Sequence, residues 1–177
     1  MFLIRNNEQL MNERSNPGSN TKDWDKRILG LLLIFAIIAY VSAGLDTGRF
    51  HFSDSLHFGY IIIGSIFIII GQTIFIIAKS QNNYFSSVAR IQTERDHKVC
   101  DIGLYKIIRH PGYLGMIVSW IGFPFVMCSL FSIIPVFISI VLLIVRTIYE
   151  DKMLYNELIG YAIYSNETRY KLIPLIW

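Results

Sequence analysis

The chain has 177 residues, of which 53% are hydrophobic and 16% charged, with a mean hydropathy of +0.46; an average soluble domain carries about 25% charged residues. This composition excludes an ordinary soluble domain and predicts a small integral membrane protein. The length suits one compact unit without a second catalytic domain, so any chemistry must sit within the membrane unit. The two cysteines, Cys100 and Cys128, stand in unlike settings, one beside a basic loop and one in an apolar run. Neither a disulfide nor a Cys/His metal cluster is expected, and no metal site is predicted.

In chain order, residues 1–27 are polar, carry charges of both signs and read as a disordered or surface-lying tail. No cleavable signal peptide is expected, because the first apolar run starts late and is long. Residues 28–45 suit a first span, at the short end of the roughly 17 to 25 residues a bilayer demands. A polar turn over 46–55 leads to a second span over 56–78. Beyond Lys79, Tyr84, Phe85, Val88 and Ile91 recur at helical spacing among charges, which predicts a helix over 81–101 lying in the headgroup layer, apolar side down. Residues 113–130 and 133–149 read as a helical hairpin. The expected fold is all-α, with about four transmembrane helices, two of them in 28–79, and a ligand-binding region over 80–177. Met153, Leu154, Glu157, Leu158 and Tyr161 are spaced for one more amphipathic helix, stopped by Pro174.

Basic residues fix an expected orientation. Lys22, Lys26 and Arg27 precede span one, Lys79 to Arg109 fill the second loop, and Lys152, Arg169 and Lys171 follow span four, whereas the first loop holds only Arg49. Both termini and the second loop are therefore expected in the cytoplasm. The net charge of +3 is a topology signal; no nucleic acid partner is expected, and the sequence leaves oligomeric state open.

The densest chemistry lies between Gly103 and Gly115, where Arg109 and His110 border a long apolar segment. Burying them unpaired costs several kcal/mol, so a bound polar ligand is the economical reading. Pro111 turns the chain before a spanning helix starts, and Gly112 and Gly115 leave room for a ligand or a neighbouring helix. Gly64 and Gly71 on span two read as packing notches. Arg146 and Glu150, four apart on one helix, would share a face and could pair with each other or flank one ligand.

His97-Lys98-Val99-Cys100, Gly103-x-Tyr105, Arg109-His110-Pro111-x-Tyr113-x-Gly115, then Arg146 and Glu150-Asp151 together resemble the isoprenylcysteine carboxyl methyltransferase family and its microbial relatives, over about the last half of the chain. The resemblance implies a small helical membrane core with S-adenosylmethionine as methyl donor, held by His97, Lys98, Val99, Cys100, Tyr105, His110, Pro111, Gly112, Tyr113 and Glu150, with Arg146 turned toward the methyl acceptor. Arg109 and Asp151 join the expected cofactor contacts on residue type, and Arg146 and Glu150 are the expected catalytic residues. That acceptor would be a lipophilic small molecule or a lipid-anchored substrate, reached among membrane lipids.

The residue types suit this ligand independently. Arg109, His97 or His110 could meet its carboxylate, Glu150 or Asp151 its ammonium or ribose, and the Tyr105 and Tyr113 rings its cation. A carboxylate acceptor needs no general base, and a bidentate grip by Arg146 would aim it. The amine of a phospholipid N-methyltransferase would need Glu150 or Asp151 as base. Other classes remain: an NADPH-dependent sterol-reductase-like enzyme, whose 2′-phosphate would call on Arg90, Arg95 and Lys98, and a non-catalytic membrane protein. His51, His57 and the tryptophans read as interfacial and are given no function.

Overall fold

The computed structural model describes residues 21–53 and 58–177. Five α-helices follow in order: α1 Asp23–Leu45, α2 Phe58–Gln81, α3 Pro111–Val126, α4 Ile133–Glu157 and α5 Tyr161–Glu167. No strand occurs among the described residues. Three helices, α1 with the turn that extends it to Phe50, α2 and α4, are long and apolar enough to cross a bilayer, while α3 is apolar but only 16 residues long. The four expected spans are thus three full ones and a shorter helix packed among them. Large apolar side chains such as Leu33, Ile69, Ile134 and Phe137 are more than 60% exposed, a belt that water would not tolerate and hydrocarbon does. This is an integral membrane protein.

Small residues set the closest helix contact. α2 and α3 run antiparallel with Gly64 against Gly122 and Gly71 against Gly115; a Cβ added to Gly64 would lie 2.7 Å from the Gly122 carbonyl oxygen and 2.7 Å from the Val126 nitrogen. Because lipid offers no hydrophobic drive between helices, such backbone-to-backbone approach supplies the dispersion that holds the pair. At the opposite end from the motif, Asp46 is buried and accepts hydrogen bonds from Ser53 Oγ at 2.7 Å and Ser129 Oγ at 2.6 Å, tying α1 to the α3–α4 turn.

Four expectations change. The tail is helical from Asp23 rather than polar coil to residue 27, because Asp25 is wholly buried and paired with Arg146; residues 1–20 of that tail lie outside the described residues. The turn expected over 46–55 begins as a π-helical continuation, Asp46–Phe50, ended by His51 in the left-handed conformation. The headgroup-layer helix expected over 81–101 is absent. In its place runs a folded loop with short 3₁₀ turns at Thr93–Arg95 and Gly103–Lys106. Its polar side chains point inward to satisfy the backbone: Gln92, 1% exposed, donates from Nε2 to the Tyr84 carbonyl at 2.8 Å and accepts from Arg95 Nη1 at 2.7 Å. Finally, the amphipathic helix expected after Glu150 is two pieces, since α4 continues to Glu157 and the chain turns at Gly160, φ 86°, before α5.

The glycine contact gives a test. Gly64→Ala should lower the thermal unfolding midpoint in detergent by an amount equivalent to about 1–3 kcal/mol of overpacking, whereas Gly30→Ala, where an added Cβ meets nothing within 4 Å, should leave the midpoint unchanged or raise it.

Candidate functional site

The start of α1, the end of α2, the start of α3 and the end of α4 converge, linked by the loop between α2 and α3 and by the segment after α4. Two buried ion pairs brace this end. Arg109 donates from Nε and Nη2 to the two Asp151 oxygens at 2.8 and 3.0 Å, and its Nη1 meets the carbonyls of Ser165, Thr168 and Arg169 at 2.9–3.3 Å. His110 Nε2 lies 3.2 Å from Asp151, the Tyr161 hydroxyl donates to the same carboxylate at 2.9 Å, and Lys171 stands 3.5 Å away. The second pair joins Arg146 of α4 to Asp25 of α1, with Nε at 2.7 Å and Nη2 at 3.2 Å. Arg146 Nη2 also donates to the Ser87 carbonyl at 2.9 Å, and the Ala89 N–H donates to Asp25 at 2.7 Å, which pins the loop to both helices.

Between the two braces lies a cavity of about 340 Å³. His97, Lys98, Val99, Cys100, Tyr105, Arg109, His110, Gly112, Tyr113, Arg146 and Glu150 border it; Pro111 and Asp151 do not. Pro111 occupies the first position of α3 and sets the turn. Asp151 stands on another side of α4 from Glu150, toward Arg109. Arg109 and His110 border the cavity, and Asp151 and three carbonyls also bond the guanidinium of Arg109. The Arg146–Glu150 pair is not formed: Arg146 turns to Asp25, and Glu150 accepts a hydrogen bond from the Tyr113 hydroxyl. Arg146 also lies over the Tyr113 ring, 5.3 Å from its centroid.

Several cavity residues escaped the sequence reading. Tyr84, Phe85 and Val88 line it together with Asn82, Ser86, Ser87, Tyr161 and Tyr164. Their apolar spacing was the available signal, but it suits a cavity wall as well as a lipid-facing helix. The ring of His97 stacks on Tyr84 at 4.5 Å between centroids, and its Nδ1 accepts the Gln92 N–H at 3.3 Å. Burial pushes its pKa down from 6.5 to about 4, with the Arg95 and Arg90 charges acting the same way. The ring is therefore neutral near pH 7, and with Nδ1 accepting, Nε2 carries the proton. Arg90 is paired with Glu94 at 2.6 Å, and Arg95 bonds Gln92 and the Asn83 carbonyl. Two of the three cations a 2′-phosphate would need are thus spent on the loop. Burial raises the pKa of the Cys100 thiol, which lies 3.5 Å from the Gln81 carbonyl.

One cavity therefore borders both the 97–113 motif and the end of α4. The profile of the isoprenylcysteine carboxyl methyltransferase family matches residues 61–156. This chain belongs to that family. It is similar to the probable protein-S-isoprenylcysteine O-methyltransferases of Oryza sativa subsp. indica and subsp. japonica, each 34% identical over 68 residues, which are 38% of this chain and 36% of each relative. The match therefore spans about a third of the length of these relatives. No solved structure matches the chain. The family match takes in nearly all of α2, the loop, α3 and nearly all of α4, and leaves out α1 and α5. Tyr161 and Tyr164, which line the cavity, and Asp25, which pairs with Arg146, thus lie outside the matched stretch.

Two measurements check this electrostatic arrangement. Asp151→Ala should strand the buried Arg109 charge and destabilise the protein by about 3–5 kcal/mol, read as the shift of the unfolding midpoint. For His97, the folded ring binds its proton less readily than the unfolded one, so stability should fall as pH drops from 6.5 toward 4. His97→Gln should flatten that part of the midpoint-versus-pH curve.

Proposed function

We propose that this chain is an S-adenosylmethionine-dependent membrane methyltransferase that esterifies a carboxylate on a lipophilic or lipid-anchored acceptor, at the face that the positive-inside rule assigns to the cytoplasm. The observation that supports this most is the single cavity bordered by the family motif, Glu150 and Arg146. Its chemistry fits the donor. Among the described residues Lys98 has no carboxylate partner, so its ammonium is available to a ligand carboxylate, and the second oxygen of Glu150 is available to a ligand ammonium. His97 offers a neutral N–H to a hydroxyl. Tyr84, Tyr105 and Tyr113 present rings to an adenine or a cation, each cation contact being worth about 0.5–2 kcal/mol. Leu29, Phe75, Met116 and Met153 supply the apolar remainder of the wall, suited to a membrane-dissolved acceptor.

When bound, S-adenosylmethionine supplies an electrophilic methyl carbon on a positively charged sulfur. To a carboxylate acceptor it would supply that methyl, the new carbon–oxygen bond forming as the carbon–sulfur electron pair stays with sulfur. No proton moves, so the protein needs no base. The residues act by alignment and by excluding water: Glu150 and Lys98 hold opposite charges of the donor, and Arg146 meets the acceptor. Tyr113, hydrogen-bonded to Glu150 and lying under Arg146, keeps the two groups in one frame.

Protein in membranes given methyl-labelled donor and an S-prenylated N-acylcysteine should form product that releases volatile methanol on base treatment, as an ester must and an N-methyl product cannot. Glu150→Gln should weaken binding of S-adenosylhomocysteine about tenfold, or 1.4 kcal/mol, in calorimetry. Base-stable label would overturn the carboxylate reading, and binding of NADPH in place of S-adenosylhomocysteine would overturn methyl transfer altogether.

A further inference from the structure

We infer that Asp25, in the first turn of α1 and outside the family-matched stretch, is a positioning residue that fixes which edge of the Arg146 guanidinium faces the acceptor. The inference rests on the proposed carboxylate methylation and assigns a part of that site.

Arg146 has five N–H groups. The Nε hydrogen goes to Asp25, and Nη2 gives one hydrogen to Asp25 and one to the Ser87 carbonyl. Among the described residues the two Nη1 hydrogens have no acceptor, and Arg146 is part of the cavity wall. The guanidinium is planar, so holding its Nε–Nη2 edge on Asp25 sets the direction of Nη1. An acceptor carboxylate consequently meets one terminal nitrogen, and the bidentate grip expected from the sequence is unavailable because Asp25 already holds that kind of grip on the adjacent edge. Asp25 is 0% exposed and Arg146 5%, so the pair is sheltered from competition by water. Asp25 also receives the Ala89 N–H, so the same carboxylate places the loop that closes the cavity beside Arg146. In this way a helix with no motif of its own sets the geometry of a residue 121 positions away.

The test compares the full-length protein with Asp25→Asn and Asp25→Glu, using labelled donor, an S-prenylated N-acylcysteine as acceptor, and S-adenosylhomocysteine calorimetry as the control for folding and donor binding. Asp25→Asn keeps the shape but weakens the hold, and should raise the acceptor KM about tenfold with kcat reduced less and S-adenosylhomocysteine affinity within about twofold of wild type. Asp25→Glu keeps the charge while displacing the guanidinium, and should show a smaller KM rise in the same direction. If Asp25→Asn fails to fold, the glutamate variant carries the test. Wild-type acceptor KM and kcat in every variant that folds would overturn the positioning role alone. Absence of transfer to the carboxylate acceptor by the wild type would overturn the carboxylate reading and the role with it. Equal losses of donor-analogue affinity and turnover would reduce Asp25 to a structural brace.

Discussion

A buried charge left without a partner is costly, and the organisation of this chain follows from how α4 meets that constraint. Arg146 and Asp151 lie five residues apart on α4, about 140° around its axis at 100° per residue, and each is buried. Each must therefore recruit an opposite charge from a different direction. Arg146 draws in α1 through Asp25, and Asp151 draws in the loop before α3 through Arg109 and His110, with the C-terminal segment through Tyr161 and Lys171. A buried ion pair is weak evidence of net stability, because desolvation consumes most of its attraction, but losing one partner is costly. The pairs thus specify which pieces must meet, while the α2–α3 glycine contact and the lipid-facing belt supply the packing that makes the meeting favourable.

The cavity is a consequence of those two recruitments. With the loop held at Asp25 on one side and at Asp151 on the other, the stretch from Tyr84 to Cys100 has to pass across the ends of the helices without entering them, and the space beneath it is walled by side chains from every element. Groups bordering that space are largely buried and respond strongly to their neighbours. The His97 ring loses its charge on burial, and Glu150 gains a hydroxyl partner in Tyr113. With Arg109 and Arg146 each paired to a carboxylate, the proposed function relies on Lys98, Glu150 and one nitrogen of Arg146 to address the ligand.

The spans were legible because lipid burial needs only long apolar runs, a property of composition that survives errors of a few residues at each end. The motif block from His97 to Tyr113 was legible as a family resemblance, whereas Arg109 and His110, conspicuous beside an apolar segment, find their partner in Asp151. What spacing cannot carry is the identity of distant partners. Arg146 and Glu150 stand four apart and invite a local pair, yet the geometry gives Arg146 to Asp25 from a segment that reads as polar tail. Nor does spacing say which way an amphipathic stretch faces. Tyr84, Phe85 and Val88 carry the periodicity of an interfacial helix, and the buried Gln92 with its two side-chain bonds turns the same residues into the wall of a cavity instead.

Under the proposed carboxylate methylation, the division between bracing and ligand-facing charge bears on how the site would discriminate among acceptors. Arg146 is paired with Asp25, so in that proposal it acts as a directional donor for an anion already placed rather than as a trap for anions in general. Placement must then come from the apolar wall, where Leu29, Phe75, Met116 and Met153 reward burial at about 25 cal/mol per Å². A small soluble carboxylate gains the hydrogen bond without the burial, and a lipid without a carboxylate gains the burial without the bond. On that proposal, only an acceptor with both, a carboxylate close to a long apolar chain, gains from each, and the pairing of Arg146 with Asp25 makes the apolar chain the larger part of recognition.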